Sequence, residues 1–351
     1  MSRTNLANHA APPSRVLIID DSVVARSVLG RMVEGTRRFA VAGAFSDARA
    51  ALSWLAKNRV DVILLDIEMP GIDGLTALPD LLIASEGAKV LIVSSSADEG
   101  AGVSVQALAL GAADTLVKPS IGAFGGRFAE VLEERLSRLF ETPADTHRSP
   151  SGYGPVAAPR DFDLVAIGAS TGGIHALSQF LRAIPTSFQK PILVTQHLPA
   201  TFMSYFAAQL AVLGGRPCQV ATDSMRIRPG RIIVAPGDAH MRVVRTSGGA
   251  AIRLTREKAA SGCMPSVDPM FETIAQVYGK RALGVVLSGM GRDGCDGAGN
   301  MIDAGARVLV QDQATSVVWG MPGAIANAGR ASAVLPPDEI GRLVAGRGGG
   351  A

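Results

Sequence analysis

The chain has 351 residues, which at about 150 residues per domain suggests two domains. Hydrophobic residues make up 47% of it and charged residues 19%, so it can bury sizeable cores and is not disordered. We find no run of about 18 apolar residues, which excludes a membrane span, and the N-terminus lacks the apolar core of a secretory signal. Its three cysteines have no CxxC spacing, which argues against a disulfide framework or a zinc site and favours a cytoplasmic protein.

The net charge of +3 is unevenly distributed. Residues 1–140 carry 14 basic and 16 acidic side chains, which gives −2, and residues 141–351 carry 20 and 15, which gives +5. Neither half is basic enough to predict binding to nucleic acid. Aromatic residues are only 5% of the chain, so no platform for stacking bases is indicated either.

A linker is predicted at residues 141–160. This stretch holds four prolines and almost no large aliphatic residues, so it cannot bury itself. At about 20 residues it is also longer than ordinary connections within a domain. We therefore expect one domain at 13–140 and a second at 161–346.

The first domain alternates short apolar runs with amphipathic stretches. The runs are almost continuous in Val, Ile and Leu, which is typical of strands buried on both faces of a parallel sheet; they are 15–20, 39–45, 61–66, 89–95 and 114–119. Helices are predicted between them, for example at 46–58 with Ser46 as the cap, and at 127–140. The expected fold is a flavodoxin-like (βα)5 domain with a doubly wound sheet.

The second domain also begins with a strand and then a helix, at 163–170 and 172–184. Further strands are predicted at 191–197, 231–237, 282–289 and 306–312. Residues 240–257 differ, because two alternating segments flank a Ser-Gly-Gly turn, which indicates an antiparallel hairpin. We expect a doubly wound, mostly parallel α/β domain with this hairpin inserted.

Functional side chains in the first domain end four of its five predicted strands. They are Asp20 and Asp21, Asp66, Ser94 and Lys118. The carboxyl ends of parallel strands meet at one edge of a sheet, and three clustered carboxylates there suit Mg²⁺. An aspartate can accept a phosphoryl group, which a lysine and a hydroxyl can contact. For any single residue, capping a helix is an equally good explanation.

This set of residues resembles the receiver domain of two-component response regulators. The matching motifs are LIIDDS (17–22), LLDIEMPGIDGL (64–75), VSS (93–95) and VKPS (117–120). The resemblance implies that Asp66 accepts a phosphoryl group from a histidine kinase and that Asp20 and Asp21 hold Mg²⁺ with it. It also implies that Ser94 and Lys118 sense the phosphoryl group.

A candidate nucleophile, Ser170, lies in the motif Gly-Ala-Ser-Thr-Gly-Gly (168–173), between a predicted strand and a predicted helix. The glycines permit a tight turn, and the helix N-terminus offers N–H groups to a developing oxyanion. A phosphate-binding loop and a simple turn are the alternatives.

A nucleophilic serine needs a base and an orienting carboxylate. Among the histidines, His197 ends a predicted strand, as Ser170 does, and is preferred over His175 and His240. Asp293, which follows the predicted strand at 282–289, is a candidate for the orienting carboxylate. Asp268 and Asp238 also lie in predicted loops and are alternatives. The order Ser…His…Asp differs from that of α/β-hydrolases and disfavours that fold.

The second domain resembles the catalytic domain of chemotaxis protein-glutamate methylesterases, the CheB family. The matches are AIGASTGG (166–173), QHLP (196–199), VAPGDAHM (234–241), PSVDPMF (265–271), LSGMGRDG (287–294) and QDQATSVVWGMPGAI (311–325). The resemblance implies Ser170 as nucleophile, His197 as base and Asp293 as orienting acid, with Thr171 and Met290 supporting the oxyanion. The family usually has an aromatic residue or His and then Arg before PSVD, where this chain has Cys263-Met264. We predict that Cys263 and Cys295 are buried as small hydrophobic residues.

Together the two resemblances imply a cytoplasmic serine esterase of a chemotaxis pathway, activated by phosphorylation. It demethylates glutamate methyl esters on chemoreceptors and deamidates glutamines; Mg²⁺ serves the receiver, and the esterase step needs no cofactor. The expected partners are a histidine kinase and methyl-accepting chemoreceptors, with no nucleic acid and no membrane insertion. Two other classes stay open: a catalytically idle interaction module under receiver control, and a DNA-binding response regulator, although no helix-turn-helix pattern follows the linker.

Overall fold

The computed structural model describes residues 12–94, 100–118, 126–140 and 162–346. The predicted linker at 141–160 lies outside these residues, as do Pro119 and Ser120 of the VKPS motif. In the described part of the chain, no helix has the length and apolar character needed to cross a membrane.

The N-terminal domain is a five-stranded parallel sheet with helices on both faces. Its strands run in the order β2-β1-β3-β4-β5. Their bounds are β1 Ser14–Ile19, β2 Phe39–Phe45, β3 Val62–Leu65, β4 Lys89–Ser94 and β5 Asp114–Val117. The helices are α1 Val23–Gly35, α2 Ala48–Leu55, α3 Gly74–Ala84, α4 Gly100–Leu110 and α5 Gly126–Phe140. The central strands are fully buried, because helices cover both faces of the sheet. The predicted (βα)5 fold is confirmed.

Short polar side chains begin the helices of this domain. Ser22 caps α1 by accepting a hydrogen bond from the Ala25 N–H, and Asp73 caps α3 in the same way from Thr76. The predicted cap of α2 was wrong by one residue. Asp47, not Ser46, accepts the bond from Ala50, because its carboxylate reaches that N–H at 2.9 Å.

The C-terminal domain contains a seven-stranded parallel sheet in the order β14-β13-β12-β6-β7-β9-β8. Its strands are β6 Leu164–Ala169, β7 Ile192–Gln196, β8 Cys218–Val220, β9 Ile232–Val234, β12 Ala282–Val286, β13 Arg307–Gln311 and β14 Ala333–Leu335. The helices are α6 Gly173–Ala183, α7 Met203–Gly214, α8 Val267–Tyr278, α9 Cys295–Asp303, α10 Gly320–Asn327 and α11 Pro337–Val344, with 3₁₀ turns at Ala200–Phe202 and Gly279–Arg281.

The predicted hairpin is present as β10 His240–Thr246 and β11 Gly249–Thr255, paired antiparallel in a two-stranded sheet of its own. The edge strands β8 and β14 were not predicted. β9 is equally short but was predicted because it is the fully buried run Ile-Ile-Val, whereas β8 (Cys-Gln-Val) and β14 (Ala-Val-Leu) are only partly buried.

The strand order reverses at β6, which positions the site. From β6 the sheet extends through β7 on one side and through β12 on the other. In open parallel sheets, ligands bind at the carboxyl edge at such a point. The residues that follow β6, β7 and β12 therefore meet in one crevice.

The two domains pack against each other through α4 of the first and α6 and α7 of the second. One cluster of buried apolar side chains runs without interruption from Val105 and Leu108 to Phe202 and Met203. His175 donates from Nδ1 to the Ala109 carbonyl at 3.2 Å, since its Nε2 accepts from Gln179. We call this contact the domain interface.

Candidate active site

Ser170 lies in the turn that joins β6 to α6. Its N–H donates to the Ser288 carbonyl at 3.0 Å, which ties the turn to the strand end of β12. Gly172 has a φ of 74°, and a Cβ there would lie 2.5 Å from Val317, so only glycine fits. Among the described residues, Ser170 is not one of the non-glycine residues with positive φ. The turn thus presents its serine without the strained backbone of an α/β-hydrolase elbow.

His197 links Ser170 to Asp293. Its Nδ1 is 3.1 Å from Ser170 Oγ, and its Nε2 is 2.7 Å from Asp293 Oδ2. A carboxylate only accepts hydrogen bonds, so the network assigns the ring proton to Nε2. In the neutral form of the ring, the Nδ1 lone pair then faces the serine hydroxyl, which is the arrangement a general base requires.

Asp293 is a buried carboxylate held by several donors. Ser266 Oγ donates to its Oδ1 at 2.6 Å, the Val267 N–H to Oδ2 at 2.8 Å, and the Gly294 N–H to Oδ1 at 3.1 Å. Burial raises the pKa of Asp293, but the hydrogen bond and charge of His197 and the bonds from Ser266 and Val267 outweigh it and lower that pKa. Asp293 is therefore ionised and fixed, as an orienting acid must be.

The pKa of His197 is raised, whereas that of Asp293 is lowered. Burial lowers this pKa, but hydrogen bonding and electrostatic interaction with Asp293 and Cys263 outweigh burial and raise it to about 9. The imidazolium is stabilised, which favours proton transfer from Ser170.

The rival candidates are held by other contacts. His240 is fully buried, with Nε2 donating to the Glu257 carbonyl and Nδ1 accepting from the Ser266 N–H. His175 belongs to the domain interface. Asp238 pairs with Arg256 at 3.0 Å, and Asp268 accepts from the Gly297 N–H at the start of α9. Each is occupied in structural contacts.

The two cysteines near the motifs differ from each other. Cys295 is buried at the start of α9, as expected. The expectation for Cys263 was wrong: it is only partly buried and lines the cleft with Ser170 and His197. It lies outside the core because the loop before α8 brings it beside His197.

The predicted oxyanion support is placed next to Ser170. Thr171 begins the approach to α6, whose N-terminus carries a partial positive charge. Met290 follows Gly289, whose backbone passes close to the serine: a Cβ added to Gly289 would lie 2.9 Å from Ser170 Cβ. The Gly289 N–H donates to Val318 and its carbonyl accepts from Met321, so this loop is fixed on both sides. The segment that contains Met290 is therefore held close to the serine.

The site opens into a cleft of about 370 Å³ between the two domains. The catalytic domain contributes Ser170, His197 and Met264 to its wall, and α5 of the first domain contributes Arg135 and Arg138. In addition, the Gly172 N–H at the start of α6 donates to the Ala113 carbonyl at 3.0 Å. The first domain therefore narrows access to Ser170.

A second constellation lies at the carboxyl edge of the first sheet. Lys118 Nζ is 2.6 Å from Asp66 Oδ2 and 2.7 Å from Asp20 Oδ2. Ser94 is buried at the end of β4, and its carbonyl accepts from the Lys118 N–H at 2.7 Å. Burial raises the pKa of Asp66, and the neighbouring lysine only partly offsets this.

The carboxylates of this constellation fit a hard divalent cation. Asp20, Asp21 and Asp66 offer oxygens that all lie within 4.8 Å of one another. Asp20 Oδ2 is buried and lies 2.7 Å from Lys118 Nζ, whose single positive charge is shared with Asp66. Three carboxylates around one lysine leave negative charge for a cation to balance, and the exposed Asp21 leaves room for water ligands.

Two contributors to the site were not identified from the sequence. Ser266 supports Asp293, and Gln196 donates from Nε2 to the Ser170 carbonyl at 2.8 Å, which holds the nucleophile turn against β7. Both lie inside motifs that the sequence analysis singled out, PSVD and QHLP. Their place within these motifs is the sequence feature from which they could have been identified.

Comparisons with known proteins agree with this geometry. The model of the CheB methylesterase family matches residues 165–344, and that of the response regulator receiver domain matches residues 16–123. A protein-glutamate methylesterase/protein-glutamine glutaminase of Azospirillum brasilense is 39% identical, over 95% of this chain and 92% of its own. One from Caulobacter vibrioides is 42% identical, over 95% and 98%.

The chain belongs to the CheB methylesterase family. The crystal structure of the Thermotoga maritima CheB methylesterase catalytic domain matches 53% of this chain and 98% of its own, at 32% identity and a TM-score of 0.51. The alignments with the Azospirillum brasilense and Caulobacter vibrioides proteins cover 95% of this chain and so include both of its domains. A DNA-binding output domain, one of the two alternatives raised by the sequence, is excluded by the match over residues 165–344.

Proposed function

We propose that Ser170, His197 and Asp293 carry out the protein-glutamate methylesterase and protein-glutamine glutaminase reactions of this family. The observation that supports this most is the unbroken hydrogen-bond chain from Ser170 Oγ through both ring nitrogens of His197 to Asp293. It also argues against a catalytically idle interaction module. We assign the receiver to residues 13–140, the linker to 141–160 and the catalytic domain to 161–346.

The reaction begins when Ser170 Oγ attacks the carbonyl carbon of a glutamyl methyl ester. His197 Nδ1 takes the hydroxyl proton, and Asp293 stabilises the imidazolium. The N–H groups of Thr171 and Met290 hold the oxyanion. The ester C–O bond then breaks, and methanol leaves with the proton from His197. Water hydrolyses the acyl-enzyme by the same steps and restores Ser170. With a glutamine side chain, ammonia leaves instead.

The receiver supplies the control of this reaction. Asp66 accepts a phosphoryl group from a histidine kinase, with Lys118 and Ser94 placed to contact it. Asp20, Asp21 and Asp66 are the residues that would hold Mg²⁺, which neutralises charge on the phosphoryl group during transfer. The substrate is a methyl-accepting chemoreceptor, whose modified helices lie in the cytoplasm, where this enzyme acts.

The domain interface explains how phosphorylation is transmitted. In the structure the receiver narrows the cleft, and the Ala113 carbonyl occupies the Gly172 N–H. A phosphoryl group at Asp66 draws Lys118 and Ser94 into new contacts, and β5 lies between them and Ala113. The interface then weakens and substrate reaches Ser170.

Methanol release from methylated receptor tests the proposed nucleophile. Ser170→Ala should lower the rate by about 10³-fold or more, because the covalent step is lost. Ser204→Ala is the matched control, since Ser204 is an exposed serine on α7. More than a tenth of the wild-type rate in Ser170→Ala would contradict the assignment.

A further inference from the structure

A sulfur, a nitrogen and a carboxylate oxygen meet beside the nucleophile. Cys263 Sγ, a ring nitrogen of His197 and an oxygen of Asp293 all lie within 4.8 Å of one another. None of the reaction steps above uses Cys263. Mixed sulfur and nitrogen donors suit Zn²⁺ and its neighbours, whereas the three carboxylates of the receiver suit Mg²⁺.

We propose that His197, Cys263 and Asp293 form a binding site for Zn²⁺, and that a bound ion inhibits the esterase. The inhibition depends on the proposed function of Ser170 and His197. The binding itself does not, so the two can be tested separately.

The distances permit this ion with small movements. A tetrahedral zinc ion with bonds of about 2.0–2.3 Å places its donor atoms about 3.4–3.6 Å apart. The three donor atoms here lie within 4.8 Å of one another, so the distance between any two of them must shorten by at most about 1.4 Å. His197 Nε2 and Asp293 Oδ2 are 2.7 Å apart, and they would separate by about 0.7 Å if the ion lies between them.

The thiol is free to make this adjustment. Cys263 lies in the loop between β11 and α8, outside any helix or strand, and is partly exposed in the cleft. Its Sγ contacts the Ser261 carbonyl at 3.8 Å and hydrogen-bonds with His197, so it already faces the other proposed ligands. Ser170 Oγ, at 3.1 Å from His197 Nδ1, or water can complete the coordination.

A bound ion stops the reaction whichever ring nitrogen it takes. At Nδ1 it uses the lone pair that accepts the Ser170 proton. At Nε2 it displaces the proton shared with Asp293, and the neutral ring then carries its proton on Nδ1, which no longer accepts. In both cases the general base is lost while the fold is kept.

Direct binding is measured with Co²⁺, whose thiolate complexes absorb in the near ultraviolet. Excess Mg²⁺ is included to fill the carboxylates of the receiver, and a phosphine keeps the thiols reduced. We expect the thiolate band in the wild-type full-length protein and in Cys218→Ser, a control at a partly buried cysteine outside the cluster. The band should be absent in Cys263→Ser, and also in His197→Ala, which keeps the thiol but removes its partner.

Inhibition is measured with ZnCl₂ in the methanol-release assay, with each variant compared with its own metal-free rate. Half-inhibition of Cys263→Ser should need at least 10–100-fold more zinc than wild type, the loss typical when even an outer partner of a metal ligand is removed. Equal zinc sensitivity of the two proteins, or a thiolate band that persists in Cys263→Ser or in His197→Ala, overturns the site. If the metal-free wild type lacks esterase activity, the proposed function fails, and the cobalt spectra alone decide the zinc site.

Discussion

Tyr205 on α7 tests whether the domain interface restrains catalysis. Its ring lies against α4 of the receiver at Gly102, where a Cβ would approach the ring to 3.0 Å. Tyr205 is far from the nucleophile turn in sequence and has no part in the proposed reaction. Tyr205→Ala should therefore weaken the contact between the domains while leaving the catalytic residues in place.

The size of the effect follows from the burial of this side chain. Tyr205 is 44% exposed, so slightly more than half of its surface is covered. Full burial of a large side chain contributes about 1.5–3 kcal/mol, and only part of the covered surface faces the receiver, so the docked state should lose about 1 kcal/mol. The undocked population and the basal rate should then rise about 5-fold.

The assay is methanol release from methylated receptor without a phosphodonor. Val212→Ala is the control, since Val212 lies on the same helix but is 78% exposed. Deletion of residues 1–145 sets the upper limit of the rate. A small-molecule phosphodonor with Mg²⁺ should raise the wild-type rate but not that of Asp66→Asn, which keeps its basal turnover.

Two outcomes would refute this reasoning. If Tyr205→Ala keeps the wild-type basal rate while the truncated enzyme is faster, the contact between α4 and α7 contributes nothing to docking. If the truncated enzyme is slower than the unphosphorylated full-length protein, the receiver assists catalysis and the inhibitory role of the interface is wrong.

Two further predictions concern the base. His197→Ala should lower the rate of methanol release nearly as much as Ser170→Ala, and the double variant should be little slower, because the two residues act as one unit. Asp293→Asn should lower the rate less, because Asp293 orients the ring. A larger loss of rate in His240→Ala than in His197→Ala would contradict the choice of His197. In a chelating buffer, kcat/KM should rise as the pH increases from 7 to 9, because the raised pKa of His197 keeps the base protonated until about pH 9. Cys263→Ser removes one cause of that raised pKa, so the rise of kcat/KM should occur at lower pH in this variant. An unchanged pH profile would refute the contact between Cys263 and His197.

The strands and the catalytic residues were predictable because both depend on local patterns. Buried parallel strands are continuous in Val, Ile and Leu, and side chains that follow such strands meet at one edge whatever the intervening loops do. This argument brought Ser170 and His197 together and left Asp293, Asp268 and Asp238 as candidates for the acid, among which the resemblance to the CheB family selected Asp293. It also placed Asp66 beside Lys118. The edge strands β8 and β14 are only partly buried and lack such a continuous run, so the same argument does not reach them.

The contacts between domains were not predictable in this way. The sequence indicated a receiver joined by a long linker, but not that α4 is the contact helix or that the Ala113 carbonyl reaches Gly172. Such contacts depend on the shape of two folded surfaces rather than on any periodicity. The position of Cys263 was missed for a similar reason, because its loop comes beside His197 only in the folded domain.

Ser266 illustrates the same difference within the site, and its role can be tested. It is buried, and its Oγ donates to Asp293 Oδ1 at 2.6 Å while accepting from Ser261 Oγ at 3.2 Å. Asp293 keeps its bonds from Val267 and Gly294 when this hydroxyl is removed. Ser266→Ala should thus loosen the carboxylate without freeing it.

The expected loss is in kcat. A hydrogen bond to a charged group contributes about 1.5–3 kcal/mol, and the remaining donors compensate in part, so kcat should fall about 10-fold with KM nearly unchanged. Ser261→Ala, at the exposed end of the same chain of hydroxyls, is the matched control and should change kcat little. The pKa of Asp293 is lowered in the folded protein, so the stability it contributes is present at neutral pH and is lost only as the pH falls through that lowered value. Urea unfolding at pH 7 therefore measures the structural cost of Ser266→Ala under conditions where Asp293 is ionised. A lower stability with an unchanged kcat would show that Ser266 only fills the core, and its role in positioning the catalytic carboxylate would have to be abandoned.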